Sequence, residues 1–309
     1  MEVPATERYE EFFRDDIWLE VGREICREAG VQWDQVVRSE QGENVVLLVD
    51  DQFVIKIYKP SRRGFGRETV ALEFASGKTS LPLPEIVASG RFEGYDYLIT
   101  TQIHGRLITR DMWLRLEKLE QVELIVQLAS GLRGLHSHAP AKIDFDWNVF
   151  LNHQLETVVE RQCAAGANPE WLAQLPRFLE DNLPLLNATH SDVFLHGDVH
   201  FGNLRLVENG GHPRISGLFD FSDSLRGHRE YEFVAPGVLI IQGQGELQRE
   251  FLRTYGYADA DINEELRSRL MLLTILYECS SLKKYALRLR PEAVNYSLYE
   301  LEKAIWNFA

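Results

Sequence analysis

The sequence predicts an α+β chain of two lobes: a small antiparallel sheet carrying one helix, then a mainly helical half. Three observations predict it. Between Val36 and Thr101 the apolar residues come in short β-type runs separated by turn residues. After Asp111 they recur at the three- and four-residue spacing of helices with one buried face. No repeat, low-complexity tract or long linker divides the 309 residues, so 1–103 and 104–309 read as lobes of one unit.

Asp16 to Ala29 sets Ile17, Val21, Ile25 and Cys26 at helical spacing, and Gly30 is a natural stop. This leading helix reads as a packing element. Val45 to Val49 and Phe53 to Tyr58, joined by Asp50-Asp51, form a hairpin. The loop before it, Ser39 to Asn44 around Gly42, can bring backbone N–H groups close to phosphates, and it can equally be an ordinary turn. Lys56 lies inside the second run, in VIKIY, and shares a face with Val54 and Tyr58 by alternation. Such a lysine either meets solvent or reaches nucleotide phosphates; in the second role it needs a carboxylate to hold it. Glu68, at the start of a helical pattern through Val70, Ala71, Phe74 and Ala75, is the natural partner, whereas Glu73 falls off the apolar face. Leu81-Pro82-Leu83-Pro84 breaks that helix. Ile86 to Ser89 and Tyr95 to Thr101 form a second hairpin around Glu93-Gly94. Thr101 to Gly105 is then the hinge, where backbone groups, at Thr101 and Ile103, can pair with an adenine edge.

In the helical half, Leu116 to Ser137 is long and amphipathic. His136 and His138 close it, where cationic or polar side chains suit a helix C-terminus. Asp144 to Val158 shows no clear period. Pro169 to Leu186 holds one or two helices, and Gly227 to Glu232 reads as a polar turn. Glu250 to Tyr257, Ile262 to Leu289 and Pro291 to Phe308 read as helices, the last opened by Pro291.

A net charge of −14 argues against nucleic acid or an anionic membrane as partner and is compatible with a cationic substrate. Three dispersed cysteines without a CxxC pair argue against a structural zinc site or a disulfide framework, and Cys26 and Cys279 read as core residues. The acidic start is no secretory signal, and no apolar run approaches the ~18 residues of a membrane span. A soluble cytoplasmic protein, monomer or homodimer, is expected.

The chemistry concentrates in FLHGDVHFGNLRLVENGGHPRISGLFDFSD, Phe194 to Asp223. Asp198 precedes Asn203 in an H-x-D-x-x-x-x-N spacing, and Asp220 follows the apolar run Ile215 to Phe219, which reads as a buried strand. Phosphoryl transfer needs this arrangement: one Asp to accept the proton of a hydroxyl, and an Asn and a second Asp to hold magnesium against phosphates. A rival reading takes His196, Asp198 and His200 as alternating residues of one strand, sharing a face that binds a transition metal in a hydrolase. Lys56 and Glu68 upstream favour the first reading.

Together, Lys56 in a strand, Glu68 in the next helix, HGDVHFGN at His196 to Asn203 and the strand ending at Asp220 resemble the aminoglycoside phosphotransferase family, over about Val36 to Val234. FLHGDVHFGN and GLFDFSDSLRGHREYEF look most like the hygromycin B kinases. The resemblance implies a protein-kinase-like fold and transfer of the γ-phosphoryl group of ATP or GTP, with Mg2+, to a hydroxyl of a small, cationic acceptor. It makes Asp198 the catalytic base, Asn203 and Asp220 metal ligands, Lys56 the phosphate-binding lysine with Glu68 its partner, and Gly42 with Glu43 and Asn44 the phosphate loop. Acceptor contacts in such enzymes come from the helical lobe, where Asp223, Glu230, Glu232 and Glu278 are the acidic candidates. Tyr231-Glu232-Phe233 departs from the Asp-Leu common in the wider family. Relatives of this fold also phosphorylate amino alcohols, sugars and amino acids, so a metabolic small-molecule kinase is the alternative.

Overall fold

A computed structural model of the chain describes residues 16–39, 44–60, 64–140, 142–189 and 191–309. The two-lobed α+β architecture is present, and it is the kinase-like one: an antiparallel sheet with helices on it, then a mainly helical lobe. The sheet strands are β1 (Val36–Arg38), β2 (Val45–Val49), β3 (Phe53–Ile57), β4 (Ile86–Phe92) and β5 (Tyr95–Thr101), in the order β1-β2-β3-β5-β4. Both hairpins are the expected ones. Asp50 and Asp51 take φ of 51° and 52°, and Glu93 and Gly94 take 49° and 90°, the left-handed backbone that tight hairpin turns require.

Burial alternates cleanly along this sheet. Val45, Leu47, Val49, Ile55, Ile57, Tyr95 and Ile99 point to one face and are buried. Helix α1 (Ile17–Ala29) covers that face with Trp18, Ile25 and Cys26, and the Trp18 ring meets Tyr95 edge-on at 5.1 Å. Gly30 at φ 69° ends α1 as expected. Because Ile55 and Ile57 face α1, Val54 and Lys56 face inward, opposite Thr100 and Leu98 of β5. Helix α2 (Gly64–Ala75) lies on this inner side and joins a core continuous with the helical lobe; its Phe74 packs on Phe194 at 4.9 Å.

The helical lobe follows through β6 (Arg106–Leu107), α3 (Arg110–Arg115) and α4 (Lys118–His136), whose first turn is closed by Glu120 accepting from the Glu117 N–H. The unassigned stretch after Asp144 becomes α5 (Trp147–Ala164), started by Asp146, which accepts from the N–H groups of Asn148 and Val149. Its period is blurred because the buried face carries Gln154 and Gln162 while Val149 and Val159 stand exposed. Helix α6 (Pro169–Asn187) is a single helix despite Pro176 and Pro184. Three short strands, β7 (Val193–Leu195), β8 (Leu204–Asn209) and β9 (His212–Leu218), carry the motif stretch, with β10 (Leu225–Gly227) paired to β7 and β6 to β8.

Downstream the helices differ from the sequence reading. The turn at Gly227–Glu232 is not exposed: it becomes a buried 3-10 turn, Arg229–Phe233, running into a π-helical segment, Pro236–Ile241. The helix expected over Glu250–Tyr257 starts earlier, as α7 (Gly245–Tyr255). The one expected over Ile262–Leu289 is two, α8 (Glu264–Leu276) and α9 (Leu282–Leu289). The break at Tyr277–Ser281 arises because the Tyr277 hydroxyl reaches the Gly197 carbonyl at 2.6 Å, and Ser281 then caps α9. Cys279 sits in this break and is exposed, not in the core; Cys26 is buried as expected. Pro291 opens a 3-10 turn, Pro291–Asn295, and a separate α10 (Leu298–Ile305) follows, capped by Ser297 and Glu300. No helix among the described residues is long and apolar enough to cross a membrane.

Trp18 is fully buried, so Trp18→Ala removes the largest side chain of the α1–sheet core. The expected loss is about 3–5 kcal/mol of stability, read as a fall in the urea midpoint followed by far-ultraviolet circular dichroism.

Candidate active site

Three segments converge between the lobes: β3, the start of α2, and the turn after β9. Lys56 Nζ lies 2.7 Å from Glu68 Oε2 and 2.6 Å from Asp220 Oδ1. The same Glu68 oxygen also accepts from the Tyr58 hydroxyl at 2.6 Å, a partner the sequence reading did not assign. Burial alone would depress the lysine's pKa; Glu68 and then Asp220 outweigh it and push it up to about 12. Burial would raise the Asp220 carboxyl; Lys56, then the Ser222 hydroxyl at 2.7 Å, outweigh it and lower it to about 2. Asp220 itself has φ 63°, a left-handed backbone that swings its carboxylate back toward Lys56 as the strand ends.

The loop after β7 is built from backbone hydrogen bonds. Gly197 has φ 85°, and a Cβ there would stand 2.5 Å from the Asp223 carbonyl, so only glycine fits. Glu232 accepts from the backbone N–H of His196 at 2.6 Å and of Gly197 at 3.0 Å. Behind Glu232 lies His136 Nε2 at 3.5 Å, and Tyr255 meets the other ring nitrogen of that histidine at 2.7 Å. His196 is buried, accepting from the Asp198 N–H at Nδ1 and facing the Phe219 carbonyl at 3.1 Å with Nε2. His200 accepts from the Gly202 N–H at Nδ1, which leaves Nε2–H to meet Asp198 Oδ2 at 3.1 Å. Asn203 donates to the Asp198 carbonyl at 2.9 Å and to the same Oδ2 at 3.0 Å. Burial would raise the Asp198 carboxyl; His200, His196 and Asn203 outweigh it and hold it below the usual range.

His196, Asp198 and His200 therefore do not alternate on a strand: β7 ends at Leu195, and both ring nitrogens of each histidine are already engaged. No group of three or more His, Cys, Asp or Glu among the described residues is arranged to hold a metal ion, which removes the geometric basis of the hydrolase reading. The Asn203 and Asp220 pair suits a hard cation: with the Asn203 amide nitrogen committed to Asp198, its carbonyl oxygen faces away, and the Asp220 side chain keeps 41% exposure.

The predicted acceptor carboxylates divide. Asp223 and Glu278 are exposed; burial of the Asp223 carboxyl, then the nearby charges of Asp198, Asp220 and Glu278, raise its pKa even though the residue as a whole is open to solvent. Glu230 and Glu232 are buried and face inward. Glu230 is clasped by Arg269 at 2.9 and 3.0 Å and by the Tyr257 hydroxyl at 2.8 Å, and Glu232 is the loop anchor. The setting of Glu232 between Tyr231 and Phe233, with Glu230 just before them, was the signal: carboxylates next to apolar residues that are buried need buried partners. Arg161 of α5, also missed, donates to the Tyr277 and Glu278 carbonyls at 3.1 Å and fixes the break that carries Glu278.

Of the nucleotide candidates, Gly42, with Glu43, lies outside the described residues. The Ser39 N–H bonds the Val46 carbonyl, and the Asn44 side chain accepts from the Lys59 N–H at 3.1 Å. The Thr101 N–H donates to the Glu85 carbonyl and its hydroxyl oxygen accepts from the Glu85 N–H, both at 2.9 Å, so that N–H is taken. Ile103 lies over Gly217 at the lobe junction.

A family model described as a phosphotransferase enzyme family matches residues 35–271. The chain belongs to the phosphotransferase enzyme family. It is a phosphotransferase, and solved structures agree in fold. The GDP complex of wild-type aminoglycoside 2'-phosphotransferase-IIIa superposes with a TM-score of 0.68 at 17% identity, covering 94% of this chain and 98% of that one. A streptomycin–ATP ternary complex of APH(2")-IIa gives 0.60 at 16%, covering 91% and 97%. A thermostable mutant of APH(4)-Ia with ADP and hygromycin B gives 0.59 at 16%, covering 94% and 99%. No curated protein matches.

Two outcomes follow for this phosphotransferase. Glu232→Ala leaves two buried N–H groups unpaired and is expected to cost about 1–3 kcal/mol for each and to lower kcat more than it raises the nucleotide KM; Glu232→Asp should recover part of both, by urea unfolding and steady-state rates. Lys56→Met should let the Asp220 pKa climb from about 2 toward the ordinary ~3.9. The depressed value means this pair stabilises the fold above the ordinary carboxylate range and ceases to do so as pH falls through about 2. Carbon-detected NMR titration of the carboxyl resonances checks the shift.

Proposed function

We propose that this phosphotransferase moves the γ-phosphoryl group of ATP or GTP to a hydroxyl of a cationic aminoglycoside-type acceptor, hygromycin B being the first to test. The observation that carries the reading is that exposed Asp223 packs its carbonyl against Gly197, the residue before Asp198, and lies within range of the charges of Asp198 and of exposed Glu278. Ammonium groups docked on these carboxylates leave an acceptor hydroxyl facing Asp198.

Asp198 Oδ2 receives Asn203 and His200, so Oδ1 is the oxygen left for the acceptor. The acceptor oxygen forms a bond to the γ-phosphorus as the bond to the bridging oxygen of the leaving diphosphate breaks, and the acceptor proton passes to Asp198. A carboxylate of lowered pKa is a weak base, which suits a loose transition state in which orientation outweighs proton abstraction. Lys56 binds the α- and β-phosphates and is kept extended by Glu68. Asn203 and Asp220 would hold Mg2+, whose chemistry is to offset charge on the phosphates. In this reading the nucleotide lies under residues 1–103 and the acceptor against 104–309.

Asp198→Ala is expected to lower kcat by about 10²–10⁴-fold with nucleotide affinity retained, measured as labelled phosphate transferred to hygromycin B. The same assay run with other aminoglycosides, amino alcohols, sugars and amino acids tests the acceptor class. Transfer to an uncharged sugar alone, with none to any aminoglycoside, overturns it. Asp223→Asn and Glu278→Gln should each raise the acceptor KM and leave the nucleotide KM unchanged.

A further inference from the structure

We propose that Tyr277 is a positioning residue for phosphoryl transfer, its hydroxyl holding the peptide unit that carries Asp198 and tying it to the segment that bears Glu278. This deepens the reading of Asp198 and Glu278 given above and rests on it. The peptide plane between Gly197 and Asp198 is gripped at both ends. Its carbonyl accepts from the Tyr277 hydroxyl at 2.6 Å, and its N–H donates to His196 Nδ1 at 3.2 Å. A peptide unit is planar, so fixing its O and its N–H together fixes the direction in which the Asp198 Cα leaves the loop. Glu232 holds the two peptide units before it, through the His196 and Gly197 N–H groups, and leaves this one to Tyr277 and His196. Gly197, at φ 85°, restrains the plane less than any other residue type would, so the grip has to come from outside the local backbone.

Tyr277 is buried, and burial, then Tyr231 and Asp198, raise its pKa, so the phenol keeps its proton and donates it to the contact. The far side of that contact is fixed as well. Arg161 donates to the Tyr277 and Glu278 carbonyls, both at 3.1 Å, and the Glu278 N–H donates to the Tyr231 hydroxyl at 3.2 Å. The Tyr231 and Tyr277 rings lie 5.0 Å apart, and Tyr231 directly precedes Glu232. Gly197, Glu232, Tyr231, Glu278 and Tyr277 thus close a ring of contacts beside Asp198, in which Glu278 is the exposed member. An ammonium group docked on Glu278 bears on the ring there, and Tyr277 passes the load straight to the Asp198 peptide. The contact therefore controls the orientation of the base, which a loose transition state rewards more than its strength.

Tyr277→Phe keeps the ring and deletes the donor. It is expected to lower kcat for labelled phosphate transfer to hygromycin B by about ten- to a hundredfold and to leave the nucleotide and acceptor KM values unchanged. Amide hydrogen exchange on the full chain should show the Asp198 N–H exchanging roughly two- to tenfold faster, with the β3 amides as in wild type. Hygromycin B should slow Asp198 exchange in wild type and not in Tyr277→Phe. An unchanged kcat overturns the proposal, as does a rise in exchange shared equally by β3, which marks general loosening. Equal slowing by hygromycin B in both proteins overturns the tie to Glu278. A wild-type chain that transfers nothing to hygromycin B or to other aminoglycosides overturns the acceptor reading and that tie with it. The hold on Asp198 is then still supported by faster Asp198 exchange in Tyr277→Phe, and overturned by unchanged exchange.

Discussion

The contact of one ammonium with two carboxylates, Lys56 with Glu68 and Asp220, ties together the three segments from which the cleft is made. Each partner is brought by a different part of the chain, and each depends on packing done elsewhere. Lys56 faces inward only because its neighbours Ile55 and Ile57 are buried on the opposite face under α1. Glu68 arrives because α2 packs on the inner face, where its core merges with that of the helical lobe. Asp220 arrives because the backbone turns left-handed at the end of β9. The energy of the pair itself is modest, since the Asp220 side chain keeps 41% exposure and water screens it. Its importance is geometric.

A second buried charge does comparable work for the loop that carries Asp198. Glu232 fixes the loop through its backbone and not through any catalytic side chain, so Asp198 keeps one oxygen committed and one open. A glutamate here is longer than an aspartate by one methylene. The structure accommodates that length with the carboxylate lying between the loop and His136.

Much of this was legible in the sequence because it rests on local periodicity. Alternation in β2 and β3 and the spacing from Lys56 to Glu68 sufficed for the small lobe and for the lysine's partner. The H-x-D-x-x-x-x-N run and the strand before Asp220 sufficed to find the Asp198–Asn203 contact and the carboxylate that meets Lys56. What escaped depends on contacts between distant segments. The break at Tyr277–Ser281 is set by a hydroxyl reaching Gly197, a contact 80 residues apart in the chain. The exposed placement of Cys279 follows from that break, and the burial of Glu230 follows from Arg269. Helix α5 was hidden because its two sides are both partly apolar, which flattens the period on which recognition depends.

That break has a consequence for how such a molecule can change over evolutionary time. Glu278 and Cys279 are exposed, whereas Tyr277 before them and Ser280 and Ser281 after them are buried and hydrogen-bonded into the frame. The frame is pinned from α5 by Arg161 and Gln162, independently of the lysine and of the Asp198 loop's own anchor. Replacing the exposed Glu278 side chain therefore alters what this segment presents to solvent while the backbone that carries it stays held. Under the proposed function, a lineage carrying this scaffold can change what it offers an acceptor by single codon changes at Glu278, while the frame around it stays held.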